Sequence, residues 1–371
     1  MTNSKQLVVH TEYSKGWGGQ EIRIIEELRE LRRLGVDVAL IAPEDSKIYQ
    51  HAKDERLTVY PFAFRSKLDI FSWIRLYHLF RSISPTIVNT HSSEDSWLGG
   101  AVARFVGVPL IIRTRHVSTP IGSTFSYRVF PHLILTTSQA IRRDLMEKGI
   151  DGQNITSVPT GIDLQRFKFN KENRSRIRAE LGIADGEILI GNVCVLRSWK
   201  GIDFLVETAA IMPKGFRFIV IGDGPQMKQL QEKANGLGLD GKKIIFTGHQ
   251  KQVERYFSAL DVFFFTSYAS EGVPQSLLQA ITNGLPIVAC KTPSVEETLR
   301  GVVSTEFVTY GETMEAALIL QEIANHSAAC EDSIRNDNSQ ILVKYGLSEM
   351  THTLMDLYRR YGVDLHMQKE Q

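Results

Sequence analysis

Cysteine is scarce: three residues in 371, Cys194, Cys290 and Cys330. Far apart and odd in number, they form neither a paired disulfide framework nor a zinc spacing, and a reducing cytoplasmic setting fits best. Charge of one sign is also lacking. With 43 Lys and Arg against 42 Asp and Glu, a formal charge of +1, no polybasic field points to nucleic acid. No stretch reaches the roughly 18 uninterrupted apolar residues of a membrane span. The first residues run into a strand without the apolar segment of a signal peptide, so any membrane contact is expected to be peripheral. G-x-G-x-x-G with an acidic residue about 20 positions later is missing, which argues against a nicotinamide oxidoreductase. Asp-x-Asp is missing too, and with it the usual carboxylate clamp that holds a metal on a diphosphate.

What remains is the composition of an ordinary globular protein, 43% hydrophobic and 23% charged, long enough for two medium domains. Apolar runs alternate with helical patterns throughout. Strands are expected at 6–11, 36–42, 57–62, 86–91, 109–116 and 132–138, then at 188–195, 216–222, 243–247, 261–266 and 286–289. Such alternation predicts an α/β protein of two doubly wound, Rossmann-like domains. The polar stretch from Asn170 to Arg176 reads as the linker, giving an N-terminal domain of residues 1–169 and a C-terminal domain of 170–346. An amphipathic segment with Met350, Leu354, Leu357 and Tyr358 predicts a final helix, 347–371, that completes the first domain.

The most informative stretch is Thr266 to Ala280, T-S-Y-A-S-E-G-V-P-Q-S-L-L-Q-A. An apolar strand enters a polar loop, and Gly272 and Pro274 open a helix carrying Leu277, Leu278 and Ala280. The first N–H groups of that helix, from about Val273 onward, lack partners inside it, and its dipole favours negative charge. Phosphate binding is therefore expected beside Glu271. This stretch resembles the Glu-x7-Glu signature of retaining nucleotide-sugar glycosyltransferases of family 4, which have the GT-B fold, two Rossmann-like domains facing a central cleft. Glu271, Gly272, Pro274 and Ala280 fall on the pattern, while Gln279 replaces the second glutamate. The resemblance implies that Glu271 contacts the donor sugar and that Gln279, through its amide oxygen, meets the ribose.

Other matches run the length of the chain. Within Gly191 to Gly201, Lys200 falls on the phosphate-binding lysine, and Arg197 is the candidate to reach the same phosphates. The loop Gly16-Trp-Gly-Gly19 resembles the family's glycine loop, which would bring Gly18 and Gly19 to the donor phosphates. His91 resembles the histidine that contacts the donor sugar, and His116 a second histidine on the acceptor side. By itself a histidine at a strand end is more often a structural hydrogen bonder, and Lys200 a solvated loop lysine. A helix around Asp69–Arg81 carries Ile70, Trp73, Ile74, Tyr77 and Phe80 among Lys67, Arg75 and Arg81. It reads either as a core-facing helix with a charged rim or, by resemblance, as a surface for an anionic membrane.

The implied activity is transfer, with retention and without a divalent metal or other cofactor, of a sugar from a nucleotide-diphosphate donor to a hydroxyl of a glycan or lipid-linked acceptor. Lipopolysaccharide, capsule or another cell-surface polysaccharide is the expected product, and the cytoplasmic face of the inner membrane the expected place. Two alternatives are a GT-B sugar-nucleotide epimerase, which needs no acceptor, and a catalytically weak sugar-nucleotide binder, because of Gln279.

Overall fold

The computed structural model describes residues 6–65, 69–327 and 338–365; Lys67 and Cys330 lie outside them. Contacts divide the chain into two compact units, Met1–Gly161 with Leu347–Gln371, and Ile162–Gly346. This division falls ahead of the polar linker because Ile162 N donates to Tyr345 O at 2.8 Å and Phe167 packs in the second unit's core.

The first unit is a seven-stranded parallel sheet. Its strands are β1 (Leu7–Thr11), β2 (Asp37–Ala42), β3 (Thr58–Pro61), β4 (Ile87–Thr90), β5 (Leu110–Arg115), β6 (Leu133–Thr136) and β7 (Ile155–Ser157), in the order β3-β2-β1-β4-β5-β6-β7. All of β1 and β4 is buried, as a central parallel strand covered on both faces requires. On one face Ile24, Leu28 and Leu31 of the Gly19–Arg33 helix pack with Met350, Leu354 and Tyr358 of the Leu347–Arg360 helix. On the other, Leu76 and Phe80 pack with Leu98 and Val102.

The second unit has six parallel strands, β8 (Ile188–Val193), β9 (Phe216–Ile221), β10 (Ile244–Phe246), β11 (Val262–Phe265), β12 (Ile287–Cys290) and β13 (Thr305–Val308), in the order β10-β9-β8-β11-β12-β13. In each sheet the order reverses once, between β1 and β4 and between β8 and β11. Open parallel sheets bind ligands beyond the strand ends at that switch.

One expectation needs correcting, and two helices show what the sequence left open. The helix after Glu271 starts at Gln275, with Pro274 extended at its cap, so Gly272 and Val273 belong to the loop before it. In the Gly19–Arg33 helix, Arg23 and Glu27 are 1% exposed. In the Ile70–Ile83 helix, Ile70, Phe71 and Ile74 face outward, at 61%, 73% and 48% exposure, and only Ser72, Leu76 and Phe80 are buried.

Candidate functional site

The second unit's switch point is assembled from the two loops that leave β8 and β11. After β8 the chain makes a single tight turn at Ser198–Lys200 and passes through Gly201 at φ +64°. After β11, Thr266 Oγ1 donates to Lys200 O at 2.8 Å and Tyr268 N donates to Trp199 O at 3.1 Å, so the loops are stitched side by side. Asn192 Nδ2 anchors the base of this junction on Phe264 O, 2.7 Å away. The stitching brings Lys200 Nζ to 2.5 Å from Glu271 Oε1. Burial alone would weaken the ammonium, but the adjacent carboxylate outweighs it and holds Lys200 above its ordinary range. Burial pushes the neighbouring Cys194 thiol up to about 12, against the pull of Lys200, so it remains a thiol.

The remaining donor-side candidates divide. Gly272 and Val273 are buried in the loop between Glu271 and the helix. Gln279 is 9% exposed, and its amide makes no hydrogen bond among the described residues. Arg197 is exposed, with its guanidinium 5.3 Å from the centre of the Trp199 ring. Gly18 N donates to Glu21 Oε2 at 2.8 Å, so a phosphate at the glycine loop would compete with an acidic side chain. Gly19 is exposed in the first helical turn.

At the first unit's switch point three histidines lie in line. His10 Nδ1 is 2.9 Å from His91 Nε2, and His91 Nδ1 is 2.8 Å from His116 Nε2. His10 is the penultimate residue of β1, while His91 and His116 follow β4 and β5, so adjacent strands set the spacing. Burial, with the neighbouring His10 ring and Arg23, pushes both His91 and His116 well below the ordinary imidazole range, and they are neutral at physiological pH. His91 N donates to Asp95 Oδ2 at 2.9 Å, and Ser92 N to Asp95 Oδ1 at 2.7 Å, fixing the turn that carries His91.

Sequence reasoning passes over His10, Glu12, Arg23, Glu27 and Asp95. The spacing of Arg23 and Glu27, four apart on one helix, and of Ser92 and Asp95 at a helix start were the available signals. Glu12 had none. It accepts from Ser92 Oγ at 2.6 Å, Ser14 N at 2.7 Å and Gln20 Nε2 at 2.5 Å, and so joins the glycine loop to the turn after His91.

Burial pushes the Glu12 carboxyl up from 4.5 to about 7, against the pull of Ser92 and with help from Glu21. Between these pH values the folded chain holds a proton that the unfolded chain has lost, so this group's contribution to stability falls as pH rises and levels off above about 7. Glu12→Gln keeps the neutral shape. Its stability relative to the native chain is expected to improve across that window, by up to about 3 kcal/mol, in urea titrations at stepped pH. The contributions of His91 and His116 run the opposite way and cancel in the comparison. A constant difference at every pH would refute the assignment.

Residues 17–166 match the profile of Glycosyltransferase Family 4, and residues 173–337 match that of Glycosyl transferases group 1. HepE of Anabaena, solved with UDP-glucose, superposes with a TM-score of 0.86 over 95% of this chain and 99% of its own, at 19% identity. WaaG, a glycosyltransferase involved in lipopolysaccharide biosynthesis, gives 0.71 over 95% and 99%, at 13% identity. The fold is GT-B. The chain belongs to the glycosyltransferases that these two family profiles describe. By sequence it is 26% identical to the UDP-Gal:alpha-D-GlcNAc-diphosphoundecaprenol alpha-1,3-galactosyltransferase of Escherichia coli, over 77% of this chain and 80% of that one. It is also 26% identical to the putative teichuronic acid biosynthesis glycosyltransferase TuaC of Bacillus subtilis, over 71% and 74%.

Proposed function

We propose that the protein is a retaining glycosyltransferase that moves a sugar from a nucleotide-diphosphate donor, with UDP-hexoses the first to try, to a hydroxyl of a glycan or lipid-linked acceptor in bacterial surface-polysaccharide synthesis. The observation that carries this reading is the Lys200–Glu271 pair, 2.5 Å apart where the strand order of the group 1 unit reverses. The relatives support the choice of donor and acceptor class. One is named for UDP-galactose and a diphosphoundecaprenol acceptor, and HepE was solved with UDP-glucose.

In this reading Lys200 turns from Glu271 to the pyrophosphate and stabilises the negative charge that grows as the sugar departs. Glu271, released from its counter-ion, accepts hydrogen bonds from sugar hydroxyls. Gln279 receives a ribose hydroxyl through its amide oxygen, and Arg197 stays near enough in sequence to add charge. On the first unit, His116 meets the acceptor, while His91, expected to contact the donor sugar, has both ring nitrogens engaged by His10 and His116 and acts by holding His116 in place. The leaving phosphate takes the acceptor proton on the same face, which gives retention without a protein nucleophile. Among the described residues no group of three or more His, Cys, Asp or Glu could hold a metal ion. Basic side chains and helix amides would do the neutralising, and transfer is expected to persist in EDTA.

The test is to incubate UDP-glucose, UDP-galactose and their N-acetyl forms with and without undecaprenyl-diphosphate-sugar acceptors, and to read product and anomeric configuration. Transfer with retention is expected. Epimerised donor without acceptor, or donor binding with no transfer, would replace this reading by an epimerase or a silent binder.

Among the described residues no helix is long and apolar enough to cross a membrane. Peripheral contact is supported by the outward faces of Ile70, Phe71 and Ile74 beside exposed Arg75 and Arg81, with Phe105, 82% exposed, 5.7 Å from the Tyr77 ring. Losing two such side chains from an apolar contact costs upwards of about 1.4 kcal/mol, a tenfold change. Phe71→Ser/Ile74→Ser is therefore expected to weaken sedimentation with phosphatidylglycerol vesicles at least tenfold. Unchanged binding would remove this face as the docking surface.

A further inference from the structure

The three histidines at the first unit's switch point do not end at His10. His10 Nε2 lies 3.4 Å from Glu27 Oε1, and neither atom has any other hydrogen-bond partner among the described residues. Four groups thus stand in line, Glu27, His10, His91 and His116, at 1%, 0%, 6% and 7% exposure. The His10 and His91 rings are stacked with centroids 4.9 Å apart, and those of His91 and His116 are 5.0 Å apart, so the line is rigid.

A neutral imidazole carries one N–H and one lone pair, and each contact between two rings needs one hydrogen. With all three rings neutral, only two arrangements satisfy both ring contacts. Either every ring carries its proton on Nε2, or every ring carries it on Nδ1. The end of the line decides between them. A carboxylate only accepts, so a bare His10 Nε2 facing Glu27 would set two lone pairs against each other, whereas Nε2–H gives the carboxylate a donor. Burial alone would raise the Glu27 carboxyl, but His10 and Arg23 outweigh it and keep it ionised. The Arg23 Nε lies 3.9 Å from Glu27 Oε2, and Arg23 Nη1 is held by Val158 O at 2.9 Å and Thr160 Oγ1 at 3.1 Å. Glu27 therefore selects Nε2–H throughout, and the line ends in a lone pair on His116 Nδ1, which has no partner among the described residues. The reverse order would end there in an N–H.

We propose that Glu27 is a positioning residue for glycosyl transfer. Acting through His10, it fixes the tautomers of His91 and His116 so that His116 Nδ1 accepts, and thereby orients, the hydroxyl hydrogen of the sugar acceptor. This rests on the acceptor-side reading of His116 given above.

The tautomers are read from long-range 1H–15N spectra of 15N-histidine protein, with the three resonances assigned by single substitutions among the ten histidines. Native protein is expected to show Nε2–H at His10, His91 and His116. Two variants break the line at different places. Arg23→Met/Glu27→Leu removes the carboxylate without leaving its buried partner charge alone, and His10→Phe removes the link while keeping the ion pair. In both, Nδ1–H should become populated at His91 and His116. The kcat for transfer should fall roughly 100-fold, the lower end of what a correctly protonated group contributes, while the donor KM stays put. Tautomers that remain Nε2–H in both variants would overturn the proposal, and so would altered tautomers with an unchanged kcat. If native protein transfers no sugar from any donor, the functional reading falls and takes the transfer part with it, while the spectra still judge the tautomer order.

Discussion

Lys200→Met is expected to lower kcat/KM for sugar transfer by about 100- to 1,000-fold, the range seen when one preorganised stabiliser of developing negative charge is removed. Most of the loss should fall on kcat, because the charge on the pyrophosphate grows as the glycosidic bond breaks. A structural cost accompanies it. Glu271 is 8% exposed, and its carboxylate sits 2.5 Å from the ammonium, so the single variant leaves a nearly buried charge without its partner. Glu271→Gln has the mirror-image defect. Lys200→Met/Glu271→Gln has neither, and is expected to recover most of the thermal stability of the native chain while remaining as inactive as the worse single variant. That divergence separates the two roles of the pair. If activity returned together with stability, the pair would be scaffolding, and the pyrophosphate would have to be bound elsewhere. If Lys200→Met kept full activity, the functional reading would lose the observation it stands on.

How much of this was legible in the residues follows from what kind of signal each carries. Buried parallel strands write themselves as apolar runs, and eleven of them were readable within a residue or two. β7 and β13, two of the four edge strands, three and four residues long with partly exposed positions, were not. Lys200 and Glu271 were readable as motif positions, 71 residues apart, but their pairing was not. It depends on Thr266 and Tyr268 stitching one loop to the other, which only the sheet order brings about. The Gly19–Arg33 helix shows the opposite failure. Its Arg23 and Glu27 are buried because the Leu347–Arg360 helix, more than 300 positions later in the sequence, covers that face, with Tyr358 against Glu27. Local periodicity has no access to a lid supplied by the far end of the chain. The histidine line fails for the same reason, since His10 contributes only as a neighbour across two strands.

Gly201→Ala is expected to be strongly damaging to the second unit. Its φ of +64° already disfavours a side chain, by about 1–2 kcal/mol. The larger part is steric. A Cβ there would lie 2.2 Å from Thr266 O and 3.2 Å from the Tyr310 ring, and the nearer obstacle is backbone, which cannot rotate away. Relief requires the loops after β8 and β11 to separate, and the contact that aligns Lys200 with Glu271 runs through that same Thr266, whose hydroxyl donates to Lys200 O. A total cost of roughly 3 kcal/mol or more follows, a fall in Tm of several degrees for a unit of this size. Transfer by the protein that stays folded should drop as well. Gly182→Ala is the control. Its φ is +62°, almost the same, but nothing lies within 4 Å of the added carbon, so it carries the backbone strain without the clash. Differential scanning calorimetry on the pair, with transfer assayed below both transitions, divides strain from clash. If the two alanine variants lose the same stability and keep the same activity, the close approach at Gly201 does not set the Lys200–Glu271 geometry, and the alignment must come from Asn192 and the strand ends alone.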